Sequence, residues 1–241
     1  MIKTVIMASY EKHIHLFQTQ EEFEAVYNTS AYTQPWLSYI EEEDAVGYNK
    51  YNTNGHDFVD LGLPSGTLWA KMNVGATSED DAGDFFSWGE VEPKSDYTLS
   101  NYKWYDESND CFTKYTESDG ILSMELEDDA AHANMGGNWR TPNLTQIQEL
   151  LEYTNARTIF DTNMNKLYTT FTSRINGNKL KFPFAAIRDD EEEEEPTNEG
   201  YIMTRTLSWE EDANYLIFSN NGVIDLDARY LGTNVRGVFT P

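Results

Sequence analysis

His56-Asp57-Phe58-Val59-Asp60-Leu61-Gly62-Leu63-Pro64-Ser65-Gly66-Thr67-Leu68-Trp69-Ala70-Lys71-Met72-Asn73-Val74-Gly75-Ala76, followed closely by Trp88-Gly89-Glu90, decides how this chain is read. Glycine adopts backbone conformations that other residues reach only at a cost, and proline fixes its own φ. Interleaved with tryptophans, they encode fixed turns wrapped around buried aromatics. The stretch carries none of the paired nucleophile and base that a catalytic motif needs. It sets the expectation of a loop-rich fold.

Working outward, 241 residues suffice for one sizeable domain plus a small accessory module. Fifteen Tyr, 12 Phe and 6 Trp can build a core without disulfides. Cys111 is the only cysteine, which excludes an intrachain disulfide and a four-cysteine zinc site. It is expected as a small, half-buried side chain. No apolar run approaches the ~18 residues of a membrane-spanning helix. Met1 to Tyr10 lacks the apolar region of a secretory signal, so export by the usual route is not expected. Seventeen basic against 42 acidic residues give a net charge of −25. That balance argues against nucleic acid and anionic membrane as partners. Carbohydrate, a cation or a basic protein patch stays open.

Residues 1–55 read as a small N-terminal α/β module and linker, and 56–241 as the main domain. His13 to Phe17 has the look of a strand. Thr19-Gln20-Glu21-Glu22 is a capping box, opening a helix whose Phe23, Val26 and Tyr27 share one face. Pro35 to Ile40 reads as a second strand. The aromatics are too many for so small a module to bury alone. Either they pack on the main domain, or Phe17, Phe23, Tyr27, Trp36 and Tyr39 form a docking or oligomerisation surface, with dimer and trimer both compatible. Tyr48 to Gly55 reads as the linker.

Beyond residue 56, short strands alternate with turn signals and two helical segments. Leu122 to Asn134 is expected as the first helix, with Leu126 and Ala130 inward and Glu127, Asp128 and Asp129 outward. Asn143, after Pro142, is the expected N-cap of the second, with Gln146 three residues on. Ile147, Leu150, Leu151 and Thr154 form its apolar stripe. Two hairpins follow: Phe171 to Ile175 with Lys179 to Phe184 around Asn176-Gly177, and Tyr215 to Ser219 with Val223 to Leu226 around Asn220-Asn221-Gly222. Early helices and late hairpins make this an α+β domain around an antiparallel sheet. The seven-acid run Asp189 to Glu195 reads as a solvated loop. Calcium loops space their carboxylates with glycine and polar residues, and this run does not.

With these landmarks placed, Val59 to Ala76 resembles the opening signature of the Fibrobacter succinogenes major paralogous domain family, common in gut Bacteroidetes and their phages. Further similar segments follow in order: Gly83 to Glu90, Leu126 to Asn134, Gly136-Gly137-Asn138-Trp139-Arg140-Thr141-Pro142, Phe182 to Ala186 with Arg188, Gly200-Tyr201, Tyr215 to Phe218, and Val235-Arg236. The resemblance spans residues 57–241. It implies a C-type-lectin-like domain with two helices and a twisted antiparallel sheet, related more distantly to the formylglycine-generating enzymes. It also implies that the motif residues are scaffold: Trp69, Trp88 and Trp139 in the core, Gly136 and Gly137 in a tight turn, Arg140 and Arg236 on buried acids or carbonyls. Residues 15–39 resemble an N-terminal module of Bacteroides phage virion proteins, including crAss-like phages.

Catalysis finds little support. His13 and His15 share a strand but have no third metal ligand nearby in sequence. His56-Asp57 lacks a nucleophile elbow to serve. Carboxylates are too numerous for any pair to stand out as a glycosidase dyad. The oxidase chemistry of the distant relatives uses active-site cysteines, and Cys111 lies outside every motif. No enzyme, cofactor or metal is therefore expected. Binding is better served. Sugar sites combine an aromatic platform with planar polar groups, and the loop Thr204 to Asp212 offers Arg205, Trp209, Glu210 and Asp212. Arg229 and Tyr230 form a second candidate pair. The calcium-lectin tripeptides Glu-Pro-Asn and Trp-Asn-Asp are absent. The expected function is a non-enzymatic phage virion protein, a capsid-attached head fibre or decoration. Its N-terminal module would dock on the capsid or another virion protein, and its lectin-like domain would bind surface glycans. The alternative is a bacterial adhesin with the same domain.

Overall fold

The computed structural model describes residues 53–164, 166–190, 199–219 and 221–240, together with the backbone of three strands nearer the N-terminus. The chain divides into two units, Met1–Asn52 and Thr53–Pro241. In the first, β1 (Val5–Tyr10), β2 (His13–Phe17) and β3 (Ser38–Ile40) form an antiparallel sheet in the order β2-β1-β3. Phe17 and Tyr39 both register with Ile6. The expected helix with Phe23 and Tyr27, and Trp36, lie outside the described residues.

The second unit is mixed α+β. Its first strands are short: β4 (Phe58–Asp60), β5 (Leu68–Ala70), β6 (Phe85–Phe86), β7 (Tyr105–Asp106) and β8 (Cys111–Phe112). Helices α1 (Ala130–Met135) and α2 (Leu144–Tyr153) follow. The long strands come next: β9 (Thr154–Asp161), β10 (Lys166–Ser173), β11 (Lys179–Pro183), β12 (Gly200–Leu207), β13 (Asp212–Phe218) and β14 (Gly222–Ala228). The two-residue strands β15 (Thr233–Asn234) and β16 (Val238–Phe239) close the chain. In place of one twisted sheet, these strands form four: β11-β10-β9, β14-β13-β12-β15-β6, β16-β5-β4 and the β7-β8 hairpin. All pairings are antiparallel except β12 with β15. The start and end of this unit meet in the third sheet, where Val59 and Val238 both register with Trp69.

One core joins these layers. Ile147 and Leu150 of α2 pack with Leu61, Trp69, Phe171, Phe182, Ile202, Leu216 and Phe218. The aromatic rings meet edge to face, as for Phe171 on Phe182 at 5.4 Å between centroids, the geometry their quadrupoles favour. Trp69, Trp88 and Trp139 are wholly buried. The indole N–H of Trp139 donates to the Thr53 carbonyl at 2.7 Å, and Asn54 donates to the Met135 carbonyl at 2.7 Å. These bonds tie residues 53 and 54, read from sequence as linker, onto the end of α1. Gly136 at φ 68 and Gly137 at φ 58 make the turn that brings Trp139 there. A β-carbon on Gly136 would meet the Asn54 amide at 2.7 Å.

The helices repay a closer look. Helix α2 carries the expected capping box in full: Asn143 accepts from the Gln146 amide at 2.8 Å, and the Gln146 side chain accepts from the Asn143 amide at 3.0 Å. Thr154, placed in its stripe from sequence, instead ends the helix and begins β9, a strand the sequence reading passed over. The first helix is far shorter than expected. A 3-10 turn spans Leu126–Asp128 and α1 begins only at Ala130. Leu126 is 48% exposed, while Asp128 and Asp129 are buried, the reverse of their expected faces. The cause lies in their partners. Asp129 caps α1 by accepting from the His132 amide at 3.2 Å. It also takes Arg140 Nε at 2.7 Å, and the Thr141 amide and hydroxyl at 2.9 and 2.8 Å. Cys111, expected half-buried, is exposed in the β7-β8 hairpin.

Substituting Asp129 by alanine leaves Arg140, Thr141 and the first turn of α1 without their shared acceptor. Loss of one partner of a buried ion pair costs about 3–5 kcal/mol, so the variant's urea midpoint is expected to fall by that equivalent. A change below 1 kcal/mol contradicts a central role for this carboxylate.

Candidate functional site

The loop singled out from sequence is the turn between β12 and β13. The two strands run in register from Gly200–Phe218 to Met203–Tyr215, then shift before Leu207–Ala213. The shift is a bulge, which re-aims a strand end. The turn closes on the Asp212 carbonyl, which accepts from the Ser208 and Trp209 amides at 2.9 and 3.2 Å. Trp209 is held at the tip with 69% of its surface exposed. For a tryptophan in a fold that buries three others completely, that exposure marks it out.

The surroundings hold the turn in place. The Glu210 carboxylate accepts from the Glu117 amide at 2.8 Å, tying the turn to the loop before Leu122. That loop runs alongside β12: Ser123 bridges Thr206, the Leu207 amide donates to Leu122, and the Met124 amide donates to Arg205. Ile121 and Leu122, the latter expected from sequence to begin a helix, are exposed beside the turn's base. The second candidate segment arrives as well, because Asp212 registers with Ala228 and the Arg229 amide donates to the Glu211 carbonyl at 3.0 Å.

The six sequence candidates therefore separate. Trp209 is exposed, Glu210 and Asp212 on the same turn are half-buried, and so is Tyr230, whose carbonyl accepts from the Ser87 hydroxyl at 2.6 Å. Arg205 is turned away from the tip, its Nη1 donating to the Thr141 carbonyl at 3.2 Å. Burial and the nearby Arg140 depress its pKa. Arg229 departs from the expectation of a ligand contact, since its side chain is wholly buried. Its Nη1 and Nη2 donate to the carbonyls of Tyr115 and Lys114 at 3.2 and 2.9 Å, and its guanidinium lies 4.1 Å from the Phe112 centroid. Burial depresses its pKa, an effect the charge of nearby groups offsets only in part. Arg229 is a pillar under the turn.

A second cluster lies next to this region. Glu125, Glu127 and Asp128 converge so that one oxygen of each lies within 4.8 Å of the others. Lys114 Nζ sits among them, 2.6 Å from Glu125, 3.4 Å from Glu127 and 2.6 Å from Asp128. The ammonium supplies the countercharge a cation would bring. Tyr115 donates its hydroxyl to Asp128 at 2.6 Å, and Lys103 reaches it at 3.2 Å. Trp104 lies between the two lysines, with their ammonium groups 4.1 and 4.9 Å from its centroid. Burial alone would raise the Asp128 pKa. The hydrogen bonds from Lys114, Tyr115 and Lys103 outweigh it, and the net shift is downward.

The opening signature lines a recess of about 190 Å³ between His56, Met72, Asn73, Asn134 and Met135. Pockets for small organic ligands run to roughly 300–1,000 Å³. His56 there packs edge-on to Trp139 at 6.3 Å. The recess offers no nucleophile beside that histidine.

The depressed Asp128 carboxyl has a pH signature. Its stabilising contribution is complete above the unfolded carboxylate value of about 3.9, and is lost as pH falls through the lower folded value. Chemical denaturation between pH 2.5 and 7 should show a steeper acid limb for the wild type than for Asp128→Asn. Parallel acid limbs would remove Asp128 from this account. Comparison of the chain with protein-family models, with curated proteins and with solved structures finds no match in any of the three.

Proposed function

We propose that this is a non-enzymatic display protein whose second unit is a C-type-lectin-like domain that binds glycan through the turn bearing Trp209. The observation that carries the reading is the contrast among the tryptophans. Trp69, Trp88 and Trp139, all in segments that resemble family motifs, are buried, whereas Trp209 stands out at the tip of a braced turn. An exposed indole on one turn with Glu210 and Asp212 combines a flat apolar platform with polar groups, the chemistry a pyranose ring requires. The bracing by Glu117, Glu211 and the buried Arg229 pre-organises the turn, which lowers the ordering cost of binding. A mixed α+β unit with two described helices is compatible with the lectin-like fold.

The wider role we propose is that of a phage virion protein, a head fibre or capsid decoration that docks or oligomerises through its N-terminal unit. It rests on the resemblance of residues 15–39 to virion modules, and on Phe17, Phe23, Tyr27, Trp36 and Tyr39 there.

Two measurements test this reading. The full chain on a glycan array should bind a defined set of neutral or host-surface glycans, unchanged by calcium chelation, and Trp209→Ala should lose at least tenfold in signal. Binding that survives the substitution places the site elsewhere. Mass spectrometry of purified virions should detect this chain, and its absence from them sinks the virion role.

A further inference from the structure

We propose that the outer face of the β9-β10-β11 sheet is a binding surface for an anionic polysaccharide, one that carries carboxylate or sulfate groups along its length. The inference goes beyond the Trp209 site and is carried by different elements. Side chains alternate across a strand. Here Thr158, Thr169, Phe171, Leu180 and Phe182 take the inner side, where Phe171, Leu180 and Phe182 are fully buried. The intervening positions face outward: Asn155, Arg157, Thr170, Thr172, Lys179 and Lys181 make a basic and polar half, and Ile159, Tyr168 and Pro183, with Asp161 beside Lys166 beyond them, make the other. Thr170 registers with Arg157 on one side and Lys181 on the other, and Thr172 with Asn155 and Lys179. Arg174 extends the central line at one end, where its Nε donates to Asn155 at 3.0 Å; at the other end Lys166 registers with Asp161 and donates to the Asp80 carbonyl at 2.9 Å. Rows two residues apart are about 6.6 Å from one another, and neighbouring strands about 4.8 Å. In the two rows Arg157–Thr170–Lys181 and Asn155–Thr172–Lys179, cations interleave with hydroxyl and amide groups.

The charge pattern of the whole chain makes this face unusual. Only 17 of its residues are basic, against 42 acidic. Arg140, Arg205, Arg229 and Arg236 are spent on the interior, bonded to Asp129 or to backbone carbonyls. Lys94, Lys103 and Lys114 serve Glu90 and Asp128. Yet Arg157, Lys166, Arg174 and Lys179 are exposed together on one sheet or at its end. Lys181 is held by Asp80 and lies over the Tyr168 ring. Arg157 and Lys179 form no ion pair among the described residues. Two exposed cations without an ion pair, Arg157 and Lys179, on one face of an acidic protein leave their charge available to an anionic ligand.

The same face tells which polyanion. Single-stranded nucleic acid binds by stacking its bases on aromatic platforms. The one aromatic ring here, Tyr168, is covered by the Lys181 ammonium 3.9 Å from its centroid. A protein partner would need a central apolar anchor. The basic half is centred on Thr170 and Thr172, the apolar Ile159 and Pro183 beside Tyr168 are half-buried and buried, and the exposed Phe160 belongs to the inner set of positions by its register with Leu167. Hydroxyls, one amide and spaced cations match a polyhydroxylated chain with periodic acidic groups.

The test uses the full chain with heparin, polygalacturonate, neutral dextran and a poly-dT oligonucleotide as probes, in 50 and 300 mM salt. Heparin or polygalacturonate should bind at low salt, weaken at least tenfold at high salt, and exceed dextran and poly-dT. Arg157→Ala with Lys179→Ala should weaken that binding at least tenfold. The charge-matched control Ser95→Asp with Asn138→Asp, both exposed on other loops, should leave it within twofold, and so should Trp209→Ala. No polyanion binding at 50 mM salt overturns the proposal. So does equal weakening by the control pair, or binding to poly-dT that matches the polysaccharides. A change in oligomer mass on substituting Arg157 and Lys179, with no ligand present, assigns the face to a second copy and overturns it too. Because Trp209→Ala is read separately, this proposal and the Trp209 site can fail independently.

Discussion

The Asp129 carboxylate is wholly buried, and four groups from two stretches of chain converge on it. It terminates the 3-10 turn before α1, starts that helix, and fixes Arg140 and Thr141, whose neighbours begin the approach to α2. Arg140 in turn exchanges backbone hydrogen bonds with Val238, next to the last strand pairing of the chain. A charge taken out of water must find such a set of donors or it neutralises. The requirement is strict in direction as well as in number. The donors arrive only if Gly136 and Gly137 turn the chain back, which also delivers Trp139 to the core. One buried ion thus links a helix start, a tight turn and the closure of the terminal sheet.

Arginine plays a complementary part. Arg236 and Arg229 are both wholly buried, yet neither is bonded to a carboxylate among the described residues. Arg236 Nε donates to Asn73 at 2.7 Å, and its other nitrogens donate to the carbonyls of Ala70, Lys71 and Lys181. Burial pushes its pKa down to about 9. Its planar fork reaches several acceptors at once, with the Phe182 ring 4.4 Å from the guanidinium. Trp88 works similarly for the second sheet, its indole N–H donating to Thr204 at 2.9 Å while Tyr102 donates to its carbonyl at 2.6 Å. Between β5 and α1 the chain has little regular structure, and side-chain-to-backbone bonds of this kind take the place of strand ladders.

What could be seen in the sequence follows from how local each cause is. The Asn143–Gln146 box acts across three residues, so its pattern is complete in the chain and α2 was placed correctly. The fate of Asp128 and Asp129 depends on Lys114, Tyr115 and Arg140, more than ten residues away, and their polarity alone points outward. β9 follows α2 with no glycine or proline to separate them, and the stripe of the helix was carried one residue into the strand. Strands of two residues, such as β6 and β15, are shorter than any periodicity can register. Within the site, Trp209 was legible as an isolated aromatic among polar neighbours. Arg229 was not, because backbone carbonyls are its partners and every residue type carries one. Ile121 and Leu122 gave no signal beyond two apolar residues after Gly120.

The carbonyl cage around Arg236 has a consequence for how this domain can change. A guanidinium held by backbone oxygens senses the path of the chain and is blind to the side chains along it. Ala70, Lys71 and Lys181 could each be exchanged for another residue without removing an acceptor. An insertion of a single residue beside any of them would displace one. Segments pinned in this way are bound in length, whatever side chains they carry, so the frame keeps its course through substitution.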